Sequence, residues 1–230
     1  MITGLKPRAE AEMDNFALDP YCRLYLPLWK LDGDSFMSRD AYGHLCTRYG
    51  AGGAPAHWTP QGWVFDGVDD YVNCGMDIQP ISAISVESWL KPETFRANGS
   101  AISSGRCGGI LLGYPDAPID GFYVYTTGWN RVSIPQADIA LDEWHHFVMT
   151  YDQTNLKIFM DDAEKDSKPL SGDITYDGTA FILGGYLSAL PPYTPDVFFQ
   201  GLIGLVLIYS RALTPQEDQY HYIVGKEMFG

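Results

Sequence analysis

The sequence is short of positive charge, of long apolar runs and of closely spaced cysteine pairs. It carries 15 Lys and Arg against 29 Asp and Glu, a formal net charge of −14. A surface of that sign repels phosphate backbones and anionic lipid, which argues against a nucleic-acid partner. It stays compatible with calcium, a basic protein surface or plain solubility. The best apolar stretch, Phe198 to Tyr209, is short and broken by Gln200, Gly201 and Gly204, so membrane insertion is not expected. The opening residues MITGLKPRAEAEMDNF lack the apolar segment of a secretory signal. That points to synthesis in a cytoplasm, with association to a virion or other particle left open. The four cysteines, Cys22, Cys46, Cys74 and Cys107, contain no CxxC pair. Zinc has no support, a disulfide framework is not indicated, and free, partly buried thiols are expected. GxSxG, Walker and HExxH patterns are missing as well.

What the chain does have is apolar residues and turns. Hydrophobic residues make up 46%, enough for a substantial core, and 24 glycines and 15 prolines punctuate the chain. That grammar suits many short strands. Strands are expected over 23–28, 63–65, 71–72, 84–90, 110–114, 122–127, 131–134, 144–151, 156–160, 180–183 and 202–209. The segment Lys30 to Pro60 reads as loop-rich. Asp152-Gln153-Thr154-Asn155 predicts a hairpin turn of about four residues. The fold class expected is all-β: a two-sheet antiparallel β-sandwich with one short C-terminal helix. Thr214, Pro215 and Glu217 form a capping box, and the helix is expected to stop at Gly225. Residues 1–20 read as a polar N-terminal arm with at most a helical turn over Ala9 to Met13, and 21–230 as the sandwich.

Several phrases resemble one family. Phe65-Asp66-Gly67-Val68-Asp69-Asp70-Tyr71-Val72 is similar to the FDGxxDYV signature of laminin-G-like, concanavalin A-like jelly rolls. Val86 to Pro92 resembles their IEAWVKP strand, Trp144 to Asp152 their WHHVAVTYD, Leu156 to Asp162 their LKLYVDG, and Ile208 to Glu217 their IYNRALSxEE. The phrases occur in the family's order, and with Leu24 to Leu28 as first strand the resemblance runs from about Tyr21 to the end. It implies the concanavalin A-like jelly roll. The family hosts lectins, adhesion modules, structural domains and hydrolases alike. Its laminarinase-like hydrolases place their acids on one strand as ExDxE or ExDxxE, because alternate positions share a face. Glu164 and Asp166 begin that pattern, but Lys168 and Pro169 follow. The reading is therefore a non-enzymatic recognition or adhesion module for a glycan or protein surface. The alternative is a structural or decoration component of a viral or cellular particle, and a glycoside hydrolase comes third.

Three candidate sites follow. The resemblance implies a structural calcium near the FDGxxDYV turn, where Asp66, Asp69 and Asp70 supply hard oxygen ligands. Gly204 stands where the family carries an aspartate, which weakens that site. No cofactor is required. Sugar binding would use aromatic faces beside polar groups: Tyr123 and Tyr125 facing outward, near Trp129 and Asn130, with Tyr186 and Tyr193 from a proline-rich loop. Third, the last strand has Leu205 and Leu207, beside Ile203 and Tyr209, where the family has charges. Val206 and Ile208 occupy its other face. A strand apolar on both faces needs cover on both. The cover would be the arm, the C-terminal helix or another subunit, making Leu205 and Leu207 a candidate partner interface in a homo-oligomer or particle lattice. The pair His145-His146 points to opposite faces and reads as structural. Asn98-Gly99-Ser100 matches a glycosylation sequon but reads as a turn.

Overall fold

The computed structural model describes residues 6–50, 56–75, 78–95, 99–104, 108–113, 121–186 and 197–230. Cys107, Asn98 and Tyr193 lie outside them.

Among the described residues the chain forms two eight-stranded sheets and a two-stranded ribbon, with every strand pairing antiparallel. The first sheet runs Ala163–Pro169, Asn155–Met160, His145–Tyr151, Ile84–Pro92, Gln200–Tyr209, Gly62–Asp66, His57–Thr59. Strand Cys22–Pro27 also joins Gln200–Tyr209. The second sheet runs Trp129–Ser133, Gly121–Tyr125, Ile110–Gly113, Ser100–Ser104, Phe181–Leu183, Tyr71–Asn73, Leu45–Tyr49, Ser35–Met37. Gly185–Tyr186 pairs with Val197–Phe198 as the ribbon. The expected sandwich is therefore present. Strands Ser35–Met37, Leu45–Tyr49 and His57–Thr59 lie inside the stretch that reads as loop. They are short, and their exposed residues hide the alternation.

The two sheets enclose a core that includes Trp63, Phe65, Phe122, Phe147, Tyr151, Phe181 and Phe199. Each fully buried side chain of this size contributes roughly 1.5–3 kcal/mol relative to exposure. The last strand is central. It pairs with Ile84–Pro92 along one side. On the other side Gln200 to Ile203 pairs with Gly62–Asp66, and Leu205 to Tyr209 with Cys22–Pro27. The register slips between Ile203 and Leu205, a bulge at Gly204 that reverses which face later residues take. Ile203 consequently joins Val206 and Ile208 in the inter-sheet core, while Leu205, Leu207 and Tyr209 face the other way. Simple alternation from Ile203 is corrected by that bulge.

A second core lies on the outer face of the first sheet. The N-terminal arm is a helix, α1 (Lys6–Phe16), and with α2 (Pro215–Phe229) it covers this face. Ala9, Met13 and Phe16 are buried on one side of α1, a spacing of four and three that keeps them on one helix face. Leu205 and Leu207 are both 0% exposed beneath the helices. They are thus covered within the chain, and the expectation that they serve as a partner interface is corrected. The capping box at Thr214 forms as expected. The helix does not stop at Gly225, however. A Cβ there would lie 2.3 Å from the Trp89 Nε1 atom, so glycine lets α2 lie directly on the indole. The helix continues to Phe229, whose ring meets those of Trp29, Trp89 and Trp144 at 5.6, 5.1 and 4.8 Å.

Candidate functional site

Four regions collect chemistry-bearing side chains. The first is sealed. His146, Glu87, Asp218 and His221 lie between the first sheet and α2, all buried. Glu87 bridges the two imidazoles, 3.1 Å from His146 Nε2 and 2.7 Å from His221 Nδ1. Asp218 lies 3.5 Å from His146 Nδ1. Burial pushes the Glu87 carboxyl up, but the His221 charge and hydrogen bonds from both histidines outweigh it and hold it at about 2. Burial lowers His221, and the Glu87 charge and hydrogen bond more than reverse this. Burial alone leads at Asp218, pushed up to about 6. Phe16 of α1 stacks on His221 at 3.7 Å, so both helices close the cluster off. On the opposite face, His145 Nδ1 pairs with Asp161 at 2.7 Å. The two histidines do point apart. The sequence signal for the cluster is Glu87, a lone acid in an apolar strand, which pattern reading passed over.

The aromatic residues singled out for sugar binding are only partly assembled. Tyr123 and Leu111 are buried against Tyr186 and Val197 of the two-stranded ribbon, and Tyr186 is buried with them. Trp129 remains 38% exposed, edge-on to Tyr125 with ring centroids 5.3 Å apart. Asn130 pairs across the strands with Val124, so it shares the inward side and not that of Trp129. Its amide donates to Thr126 Oγ1 and the Gly128 carbonyl. The continuous platform expected from alternation is thus reduced to Trp129 and Tyr125, because the ribbon folds over its neighbours.

Asp66, Asp69 and Asp70 do come together, each offering an oxygen within 4.8 Å of the others. Asp66 Oδ1 accepts from the Val68 and Asp69 N–H groups. Buried Asp70 accepts from Ala56 N–H at 2.6 Å and Asp66 N–H at 3.0 Å. Burial, opposed by those two bonds, raises its pKa. The residues fit calcium in donor type, and backbone N–H groups also hold the turn by themselves. Gly204 has no bearing on this turn: Asp66 pairs with Gln200, whereas Gly204 follows the pair Ile203–Trp63 at the far end. A Cβ at 204 would meet the Phe229 ring at 2.5 Å. Glycine here admits α2, and an aspartate missing from 204 costs the acidic turn nothing.

The fourth region is an open cleft of about 700 Å³ that the sequence reading missed. Its lining comes from strand Cys22–Pro27, the loop before Leu45, the end of strand Tyr71–Asn73, residues 79–81 and Ser210. Arg23 donates to the Tyr42 hydroxyl, and through Nε to Ser210 Oγ at 2.9 Å. Its guanidinium lies 5.0 Å from the Tyr42 ring centre. His44 Nε2 stands 2.8 Å from the Arg23 carbonyl. The loop is held from below: Asp40 Oδ1 accepts from Tyr42 and Gly43 N–H, and Asp40 Oδ2 from Tyr25 N–H. Such a wall needs little ordering when a ligand arrives. Tyr42, Leu45 and Ile81 present 53%, 60% and 57% of their surface. Apolar faces beside Arg23, His44, Gln79 and Ser210 give the mixed lining of a small-molecule site, and the volume falls in the usual range of roughly 300–1,000 Å³. The contributors are scattered from residue 23 to residue 210, so no local motif marks them.

The family profile of the concanavalin A-like lectin/glucanases superfamily, laminin G type 3, matches residues 66–217. Domain 4 of AbnA, an extracellular arabinanase from Geobacillus stearothermophilus, solved in complex with arabinotriose, superposes with a TM-score of 0.66 at 18% identity. That match covers 87% of this chain and 98% of that one. The receptor-binding domain of botulinum neurotoxin C/D mosaic serotype gives 0.66 at 12% identity over 88% of this chain and 51% of that one, so the chain spans about half of it. A Bacteroides ovatus protein assigned provisionally to carbohydrate binding gives 0.54 at 19% identity, over 69% and 46%. At these identities the likeness shows the fold. No curated protein matches the sequence.

Proposed function

Because the chain belongs to the concanavalin A-like lectin/glucanase superfamily, we propose that it is a non-catalytic recognition module that binds carbohydrate in the cleft beside Tyr42. The observation that carries this reading is the cleft: exposed tyrosine and aliphatic faces set beside a guanidinium, an imidazole, an amide and a hydroxyl. Sugar rings offer apolar C–H faces and hydroxyls together, which is what such a lining accommodates. Among the described residues, none that lines the cleft is a carboxylic acid. Glycoside hydrolysis in its common form needs two, which favours binding over cleavage. Three-dimensional likeness to an arabinanase domain solved with arabinotriose adds support.

The particle-component alternative drew on an apolar strand in want of a partner. That strand is covered by α1 and α2, which removes one of the observations that favoured it. Calcium at Asp66, Asp69 and Asp70 would brace the turn that leads into strand Tyr71–Asn73, just past which Cys74 and Gly75 border the cleft.

Isothermal calorimetry against a panel of neutral and acidic oligosaccharides tests the reading. At least one is expected to bind, and Tyr42→Ala to weaken it about tenfold, the scale of losing one well-placed aromatic contact. A glycan array negative for every sugar at high protein concentration overturns it.

A further inference from the structure

Cys46 and Cys74 meet at the inner wall of the cleft. Arg48 pairs with Val72 and Thr47 with Asn73, and one step further the same register sets Cys46 opposite Cys74. Directly opposed residues of an antiparallel pair hold their Cβ atoms about 4.5–5.5 Å apart, next to the roughly 3.5–4.5 Å that a disulfide spans. Both side chains turn the same way, into the inter-sheet core, at 0% and 1% exposure. The thiols also feel each other: burial first, then the Cys46 side chain, raise the Cys74 pKa well above its ordinary value. No disulfide joins them in this structure. Cys74 and Gly75 border the cleft while the Cys74 thiol itself points into the core, so local opening of that wall exposes Cys74 to the cleft before Cys46.

We propose that Cys46 and Cys74 are a dithiol that closes to an intrachain disulfide when opening of the cleft wall exposes Cys74 to a small disulfide oxidant. With glutathione disulfide, the Cys74 thiolate attacks one sulfur and releases a glutathione thiolate. The Cys46 thiolate then attacks the Cys74 sulfur of the mixed disulfide and releases the second. The two protein thiols are oxidised, the glutathione disulfide is reduced to two thiols, and the two protons pass to them. The bond ties strand Leu45–Tyr49 to the end of strand Tyr71–Asn73, where Leu45 and Cys74 line the cleft, and stiffens that wall. Bond formation stands apart from the carbohydrate reading, and only its effect on ligand affinity rests on it. Cys22 serves as a control: it lies in the other core, beneath the helices.

The folded protein is incubated with oxidised glutathione from about pH 7 to pH 9, quenched in acid, alkylated, digested and mapped by mass spectrometry. Expected are a linked Cys46–Cys74 peptide lighter by two hydrogens, an alkylated Cys22, and a rate rising about tenfold per pH unit with the thiolate fraction. The thermal midpoint is expected to rise by roughly 5–10 °C and to fall back on reduction. The same linked peptide is expected from Cys107→Ser protein. Separate alkylation of Cys46 and Cys74 after oxidation overturns the proposal, and so does a mixed glutathione disulfide on Cys74 that goes no further. Equal carbohydrate affinity in the oxidised and reduced forms overturns the stiffening of the cleft while leaving the bond.

Discussion

The outer face of the first sheet and the cleft share a strand, Cys22–Pro27, yet they are built to opposite ends. On the sheet face, Cys22 and Tyr25 sit beneath two helices in a closed core that also holds Glu87, two histidines and Asp218. At the cleft, Arg23 of the same strand reaches solvent and meets Tyr42 and Ser210. A sealed polar cluster has to satisfy itself, since every charge without a partner there is costly. An open cleft can leave capacity for a ligand, because water fills it meanwhile. Chemistry-bearing residues alone therefore do not mark a site. The Glu87 cluster has the richer titration behaviour, and the cleft has the access.

Substitutions should separate the two regions by size of effect. Leu205→Asp puts a charge under both helices and is expected to cost at least about 3 kcal/mol of stability, or to prevent folding. Denaturant unfolding measures it, and a loss below about 1 kcal/mol would show that the helices do not seal that face.

Next in size is a pH dependence centred on the sealed side. Glu87 is held at about 2, below its ordinary value. Its contribution is complete above about pH 4.5 and is lost as pH falls toward 2. His221 is raised, so its contribution is complete below about pH 6.5 and is lost as pH rises through the folded value. Asp218, raised to about 6, costs more as pH climbs from its ordinary range through that value. Thermal stability is expected to peak between about pH 4.5 and 6.5 and to decline on the alkaline side. Glu87→Gln should flatten the profile. An alkaline decline of equal slope in that variant would remove the cluster as its cause.

Calcium belongs to neither region and should act weakly. At about five times its dissociation constant, an ion bound at Asp66, Asp69 and Asp70 adds about 1 kcal/mol. That is a rise of roughly 2–4 °C in the thermal midpoint, abolished by Asp69→Asn. Chelator-treated protein that gives no calorimetric signal at millimolar calcium rules the ion out. The smallest effect is expected at the cleft: Tyr42→Ala should change stability by no more than about 0.5 kcal/mol, since the side chain is exposed. A larger loss would make Tyr42 part of the scaffold and leave its effect on binding ambiguous.

Much of the fold was legible because it rests on local rules. Alternation, turn residues and a capping box located most of the strands and the start of α2. The spacing of Ala9, Met13 and Phe16 also carried α1, but polar neighbours masked it. Of the candidate sites, the acidic turn assembled, since its three aspartates lie within five residues. The aromatic platform did not, since whether Tyr123 faces solvent depends on a ribbon, which carries Tyr186, packing onto it.

The sequence by itself determined the class of fold, the doubly apolar last strand and its need for cover, because periodicity and side-chain chemistry act over a few residues. Tertiary structure alone decided that two helices of the same chain supply the cover, that Gly204 and Gly225 give them room, and that Arg23, Tyr42, Cys74 and Ser210 share one cleft. Those outcomes depend on close approach between segments distant in the chain, and only a shared three-dimensional packing can set it.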